Sequence, residues 1–102
     1  MEYRQLGMSE LQVSVVGLGG NTFGPPRLDR TASVRNIHKA LDLGINFIDT
    51  AFIYCEGKSE EFVGFALKEK RNDVIVATKF HLRDLGDETP RQRIIEQCDE
   101  SL

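Results

Sequence analysis

The chain has 102 residues, 40% of them hydrophobic and 28% charged, with a formal net charge of -3. That composition suits a single small folded domain, and its interspersed charges leave no basic stripe of the kind that binds DNA or RNA, so no nucleic-acid partner is expected. No run approaches the ~18 apolar residues of a membrane span, and Met1-Glu2-Tyr3-Arg4-Gln5 lacks the regions of a signal peptide, so a soluble, cytoplasmic protein with no membrane partner is expected.

Tyr3 to Val13 alternates weakly around Gly7, the pattern of a short hairpin, and residues 1–14 are expected to precede the main fold in that form. Val13 to Leu18 is β-rich and runs into Gly17, Gly19 and Gly20, which makes it strand one. The loop Asn21 to Asp29 follows, with the breaker pair Pro25-Pro26. Val34, Ile37 and Leu41 then recur at helical spacing, with Asp29 or Thr31 able to cap the helix and Gly44 placed beyond its C-terminus.

Strand two is Phe47 to Ala51, and a loop extends from it through Gly57. Ser59 is positioned to cap a second helix whose first turn holds Glu60 and Glu61, while Lys68, Lys70 and Arg71 gather at the other end to complement the dipole. Gly64 inside this helix costs about 1 kcal/mol relative to alanine, so close approach of the helix to the sheet is the expected reason for it. Strand three is Val74 to Phe80.

After a polar loop, Thr89-Pro90-Arg91-Gln92 reads as an N-cap, a proline at the first helical position and a capping-box glutamine. The third helix so opened carries Ile94, Cys98 and Leu102 on one stripe. The sequence stops on that stripe with no capping glycine, as expected of an incomplete piece of a longer architecture. Successive strand-helix units imply a parallel α/β chain.

Side chains alternate along a strand, so Phe47 and Asp49 share one face, as do Ile75, Ala77 and Lys79. If both faces point the same way, carboxylate and ammonium meet, with Tyr54 in the loop just beyond Asp49. The apolar run before Lys79 makes an unpaired charge there expensive, which calls for such a partner. A cation beside a phenol favours the phenolate, so Tyr54 becomes a candidate general acid able to deliver a proton to a carbonyl oxygen. Taken singly, Asp49 reads as a turn residue, Lys79 as a solvated surface group and Tyr54 as loop packing; strand-end placement of all three tips the reading to a site.

Other features carry less. Gly17-Leu18-Gly19-Gly20-Asn21-Thr22 lacks the third glycine of a dinucleotide fingerprint and is followed by prolines rather than a helix, and Lys58-Ser59 lacks the upstream glycines of a P-loop. His81, two residues past Lys79, reads as an exposed loop histidine with a catalytic role as the lesser alternative, and His38 as a surface or interfacial residue. Cys55 and Cys98 show neither metal-ligand spacing nor disulfide density and are expected as free, inert thiols.

Tyr3-Arg4-Gln5-Leu6-Gly7, Val13-Ser14-Val15-Val16-Gly17-Leu18-Gly19, Asn46-Phe47-Ile48-Asp49-Thr50-Ala51 with Tyr54, Gly57-Lys58-Ser59-Glu60-Glu61 and Ala77-Thr78-Lys79-Phe80 together resemble the N-terminal third of an aldo-keto reductase. The resemblance runs through nearly the whole chain in order and spacing. It implies the N-terminal part of a (β/α)8 TIM barrel, with residues 15–102 as its first three βα units. It further implies NADPH as cofactor and a small-molecule aldehyde or ketone as substrate.

Of the family's Asp, Tyr, Lys and His tetrad, Asp49, Tyr54 and Lys79 match the first three by position, and Gly20, Asn21, Thr22 and Asp49 are implied in cofactor binding, with Phe23 nearby. The tetrad histidine follows the family's fourth strand and the phosphate-gripping segment lies near its C-terminus. Neither falls in these 102 residues, so the chain alone is expected to be inactive. The alternatives are a truncated, inactive fragment and a cofactor-sensing accessory protein like the potassium-channel β subunits that share the fold.

Overall fold

In the computed structural model, which describes residues 1–82 and 85–102, the N-terminus is the expected hairpin: β1 (Tyr3–Gln5) pairs antiparallel with β2 (Gln12–Ser14). The hairpin is fastened to the chain just before the second parallel strand. Asn46 accepts from the Ser14 N–H at 2.7 Å through its side-chain oxygen, and its amide nitrogen donates to the Gln12 carbonyl at 2.9 Å. The Tyr3 hydroxyl donates to the Gly44 carbonyl at 2.6 Å.

This attachment corrects the first strand. Val13 and Ser14 belong to the hairpin, Val15 still donates to Glu2, and the parallel sheet begins only at β3 (Leu18–Gly19). The β-rich composition of Val13 to Leu18 is divided between two sheets because the hairpin captures its first half.

Helix α1 (Arg30–Asp42) is capped by Asp29, whose carboxylate accepts from Ala32 N–H at 2.8 Å, and Gly44 (φ +92°) turns the chain out beyond its end. Strand β4 (Phe47–Asp49) lies between β3 and β5 (Ile75–Ala77), parallel to both, in the order β3-β4-β5. Each strand is shorter than its apolar run.

Helix α2 (Lys58–Ala66) starts after Gly57 in the left-handed conformation (φ +90°), so Ser59 is not its cap. It also ends before Lys68, Lys70 and Arg71, and its last turn holds no basic residue. Arg71 instead donates to the Val74 carbonyl at 2.8 Å, bracing the entry to β5. Gly64 is exposed, with no atom within 4 Å of the position a Cβ would occupy, which removes close packing as its reason. The Gly64→Ala variant is therefore expected to gain about 1 kcal/mol, read as a higher urea midpoint at unchanged slope.

Strand alternation sorts the sheet into two faces. Ile48, with no exposed surface, packs with Ile37, Phe23, Val63, Ala66, Leu67 and Val74, and Leu18 and Val76 close on the same cluster, which places the core between the sheet and α1 and α2. Phe47 and Asp49 look out of the opposite face.

Helix α3 (Pro90–Ser101) opens with the expected capping box, Thr89 and Gln92 satisfying each other's backbone N–H groups. Among the described residues none from α3 joins the core cluster. Its stripe is incompletely covered: Ile94 is half-buried and Cys98 and Leu102 exposed, lining with Val63, Leu67 and Val76 a groove of about 550 Å³. Polar contacts hold the helix instead, from Gln97 to the His81 backbone and from the Ser101 hydroxyl to the Glu60 carboxylate at 2.8 Å. Among the described residues no helix is long and apolar enough to cross a membrane.

Candidate active site

The parallel register sets the geometry. Asp49 pairs with Ala77, and the pairing continues past both strands as Thr50 N–H donates to Ala77 and Phe52 N–H to Lys79. Lys79, two residues beyond Ala77, therefore stands on the same face as Asp49 and one step further toward the C-terminal rim. Its ammonium donates to Asp49 Oδ1 at 2.7 Å, to the Thr50 carbonyl at 2.9 Å and to the Tyr54 hydroxyl at 3.4 Å. Three hydrogens meet three acceptors. The ammonium also lies 4.9 Å from the centre of the Tyr54 ring.

Burial is not what drives this pairing. The side chains of Lys79 and Asp49 are 48% and 46% exposed, at the open rim where β4 ends at Asp49 and β5 at Ala77. An ion pair so exposed is worth about 0–1 kcal/mol. The hydrogen bond that the Lys79 ammonium donates to Asp49 nonetheless holds it above lysine's ordinary 10.5; desolvation opposes this and Tyr54 adds to it. The sign follows: the pair's contribution to folding is fully present below 10.5 and is lost as pH climbs through the higher folded value.

Tyr54 opens a 3₁₀ turn (Tyr54–Gly57) of unusual backbone. Cys55 (φ +50°), Glu56 (φ +56°) and Gly57 (φ +90°) are all left-handed in succession. The two non-glycine residues each cost on the order of 1–2 kcal/mol in this region. The loop after β3 braces the turn: a Cβ on Gly24 would collide with that of Cys55, and the Cys55 thiol donates to the Asn21 carbonyl at 3.5 Å. Close packing of two rim loops requires glycine at position 24.

Gly20 is buried at the end of β3, donating its N–H to the Asp49 carbonyl at 2.9 Å. Asn21 is exposed beside it and Thr22 half-buried, while the Phe23 ring belongs to the core at 2% exposure. Gly20, Asn21 and Thr22 thus join Asp49, Tyr54 and Lys79 along one rim.

Thr50 and Ser59, to which sequence reasoning assigned no role at the site and of which Ser59 read as a helix cap, tie this rim together. Ser59 Oγ donates to the Gly20 carbonyl at 2.7 Å and lies 2.6 Å from Thr50 Oγ1. The available signal was that a serine two residues after a glycine able to adopt positive φ is free of capping duty.

His81 is half-buried rather than exposed, and its ring bonds none of Asp49, Tyr54 and Lys79. Its ring lies 6.0 Å from that of Phe52, its Nδ1 is buried without a partner among the described residues, and its peptide is gripped by Gln97. His38 bonds the Ala66 carbonyl at 2.9 Å on the helix side of the sheet. Cys55 and Cys98 are free.

The family model described as Aldo/keto reductase family matches residues 15–102. The chain is 40% identical over 111 aligned positions to the aldo-keto reductase YhdN of Bacillus subtilis, covering 100% of this chain and 34% of that one. It is 37% identical over 83 positions to a probable voltage-gated potassium channel subunit beta of Arabidopsis thaliana, covering 78% of this chain and 25% of that one. Among solved structures, the aldo-keto reductase AKR11C1 from Bacillus halodurans in its holo form superposes with a TM-score of 0.86 at 39% identity, covering 100% of this chain and 35% of that one. The chain thus spans about a third or less of the length of these relatives.

Proposed function

The chain belongs to the aldo/keto reductase family and forms the N-terminal part of its (β/α)8 barrel, and on that premise we propose that it supplies the proton-donating half of an NADPH-dependent carbonyl reductase. The observation that carries the reading is the Lys79 ammonium bonded at once to Asp49, Thr50 and Tyr54.

Tyr54 gives its proton to the carbonyl oxygen of an aldehyde or ketone. Lys79, 3.4 Å from that hydroxyl, stabilises the oxyanion the phenol becomes, and Asp49 keeps the ammonium charged and aimed. NADPH, when bound, supplies the hydride. Gly20, Asn21, Thr22 and Asp49 are the residues of this chain that would hold its nicotinamide end. The rim suits a flat ring, since the place of a side chain at Gly19 is open space next to Asp49 on the paired strand.

A complete barrel carrying these 102 residues is expected to oxidise NADPH in the presence of an aldehyde panel, and the 102-residue chain alone is not, lacking the tetrad histidine and the phosphate site of the family. Steady-state absorbance of NADPH checks both, and a complete barrel without turnover refutes the reading. A second reading, as an accessory subunit, rests on the likeness to the potassium channel subunit beta. NADPH binding without carbonyl turnover is its signature.

A further inference from the structure

Thr50 and Ser59 are polar, 1% and 0% exposed, and placed between the loop after β3 and the Lys79 ammonium. Their hydrogens can be arranged in only one way. The Gly20 carbonyl only accepts, so the single Ser59 hydrogen points to it across 2.7 Å, and the Thr50 hydroxyl must then donate to Ser59 across 2.6 Å. The order is Thr50 to Ser59 to Gly20.

The same Thr50 has both main-chain groups engaged at the site. Its N–H donates to Ala77 at 2.8 Å and its carbonyl receives Lys79 at 2.9 Å. Gly20 in turn donates to Asp49. The ends of three parallel strands and the first turn of α2 are thereby laced through two hydroxyls. The fit is tight, since a Cβ on Gly20 would stand 2.7 Å from Ser59 Oγ. Ser59 is released for this by Gly57, which takes the N-terminal position of α2.

We propose that Ser59 is a positioning residue which, by holding the Thr50 side chain, aims the Thr50 carbonyl at the Lys79 ammonium and fixes the Gly20 peptide beneath the cofactor loop. The bearing of this on catalysis rests on the reductase reading above; the bearing on Lys79 does not. Without the Ser59 hydroxyl, the Thr50 hydroxyl is left buried with nothing to receive its hydrogen, a situation relieved only by turning Thr50. The carbonyl follows and the ammonium loses one of its three acceptors.

Protein labelled with carbon-13 at lysine Cε tests this by NMR. The four lysines other than Lys79 are internal controls. In Ser59→Ala, and equally in Thr50→Val, the Lys79 titration is expected to fall toward the ordinary 10.5 while the control signals stay in place. Thr50→Ser, which keeps the hydroxyl, restores the parent curve. In the complete barrel, Ser59→Ala is expected to lower kcat by roughly 10- to 100-fold with little change in the carbonyl KM.

A Lys79 titration unchanged in Ser59→Ala and Thr50→Val, with only thermal stability reduced, overturns the proposal. A shifted Lys79 in a complete barrel that reduces no carbonyl leaves the positioning role standing and removes the reductase reading. Should both variants fail to fold, the unaltered protein decides. A slowly exchanging Thr50 hydroxyl proton showing contact with Ser59 supports the relay, and rapid exchange overturns it.

Discussion

Phenylalanine in place of Tyr54 is expected to lower carbonyl turnover in the complete barrel by roughly 10²- to 10⁴-fold, the span that a positioned proton donor contributes. The substitution is a narrow one. The ring remains for the Lys79 ammonium that rests 4.9 Å from its centre, and the left-handed turn after it depends on Cys55, Glu56 and Gly57 rather than on the hydroxyl. Only the proton and its oxygen are lost. NADPH affinity, measured by quenching of cofactor fluorescence, is expected to hold within a few-fold, so the loss appears in kcat. Undiminished turnover in Tyr54→Phe removes Tyr54 from the chemistry.

The second large effect is on folding. Ile48 sits mid-strand with no exposed surface, register partner to Leu18 on one side and Val76 on the other. Truncation to alanine opens a cavity in the cluster it shares with Ile37 and Leu67 and is expected to cost about 2–5 kcal/mol. Against the roughly 5–15 kcal/mol that holds a typical domain, that is a large fraction. Urea denaturation measures it, with Val15→Ala, at a residue 48% exposed, as the control that stays within about 0.5 kcal/mol. A loss for Ile48→Ala no larger than the control's places the core elsewhere.

What could be read from the chain, and what could not, divides along a physical line. Features set by neighbours in sequence were legible: the Asp29 cap of α1, the Thr89 and Gln92 capping box of α3, and the two-residue alternation that brings Asp49 and Lys79 to one face. Features set by distant partners were not. The hairpin takes Ser14 because Asn46, 32 residues away, binds it, and nothing local marks where a β-rich run stops pairing.

Ser59 carries the composition of a cap, but its partner Gly20 lies 39 residues back. The apolar run before Lys79 marked a costly place for an unpaired charge, yet the side chain is half exposed, because such a run reports which residues can lie inside, not where the regular strand ends. β5 gives out two residues earlier. Gly64 misled in the same way: helical glycine implies a contact only when something is there to touch.

The grip of Gln97 on position 81 reaches further than the local contact. Its amide accepts from the His81 N–H at 2.9 Å and donates to the His81 carbonyl at 2.7 Å, doing for one residue what an adjoining strand does for many. The imidazole takes no part. A plain aromatic at position 81 is thus expected to leave the segment that carries Lys79 in place, since the ring nitrogen has no partner among the described residues, whereas loss of the Gln97 amide is expected to slacken it.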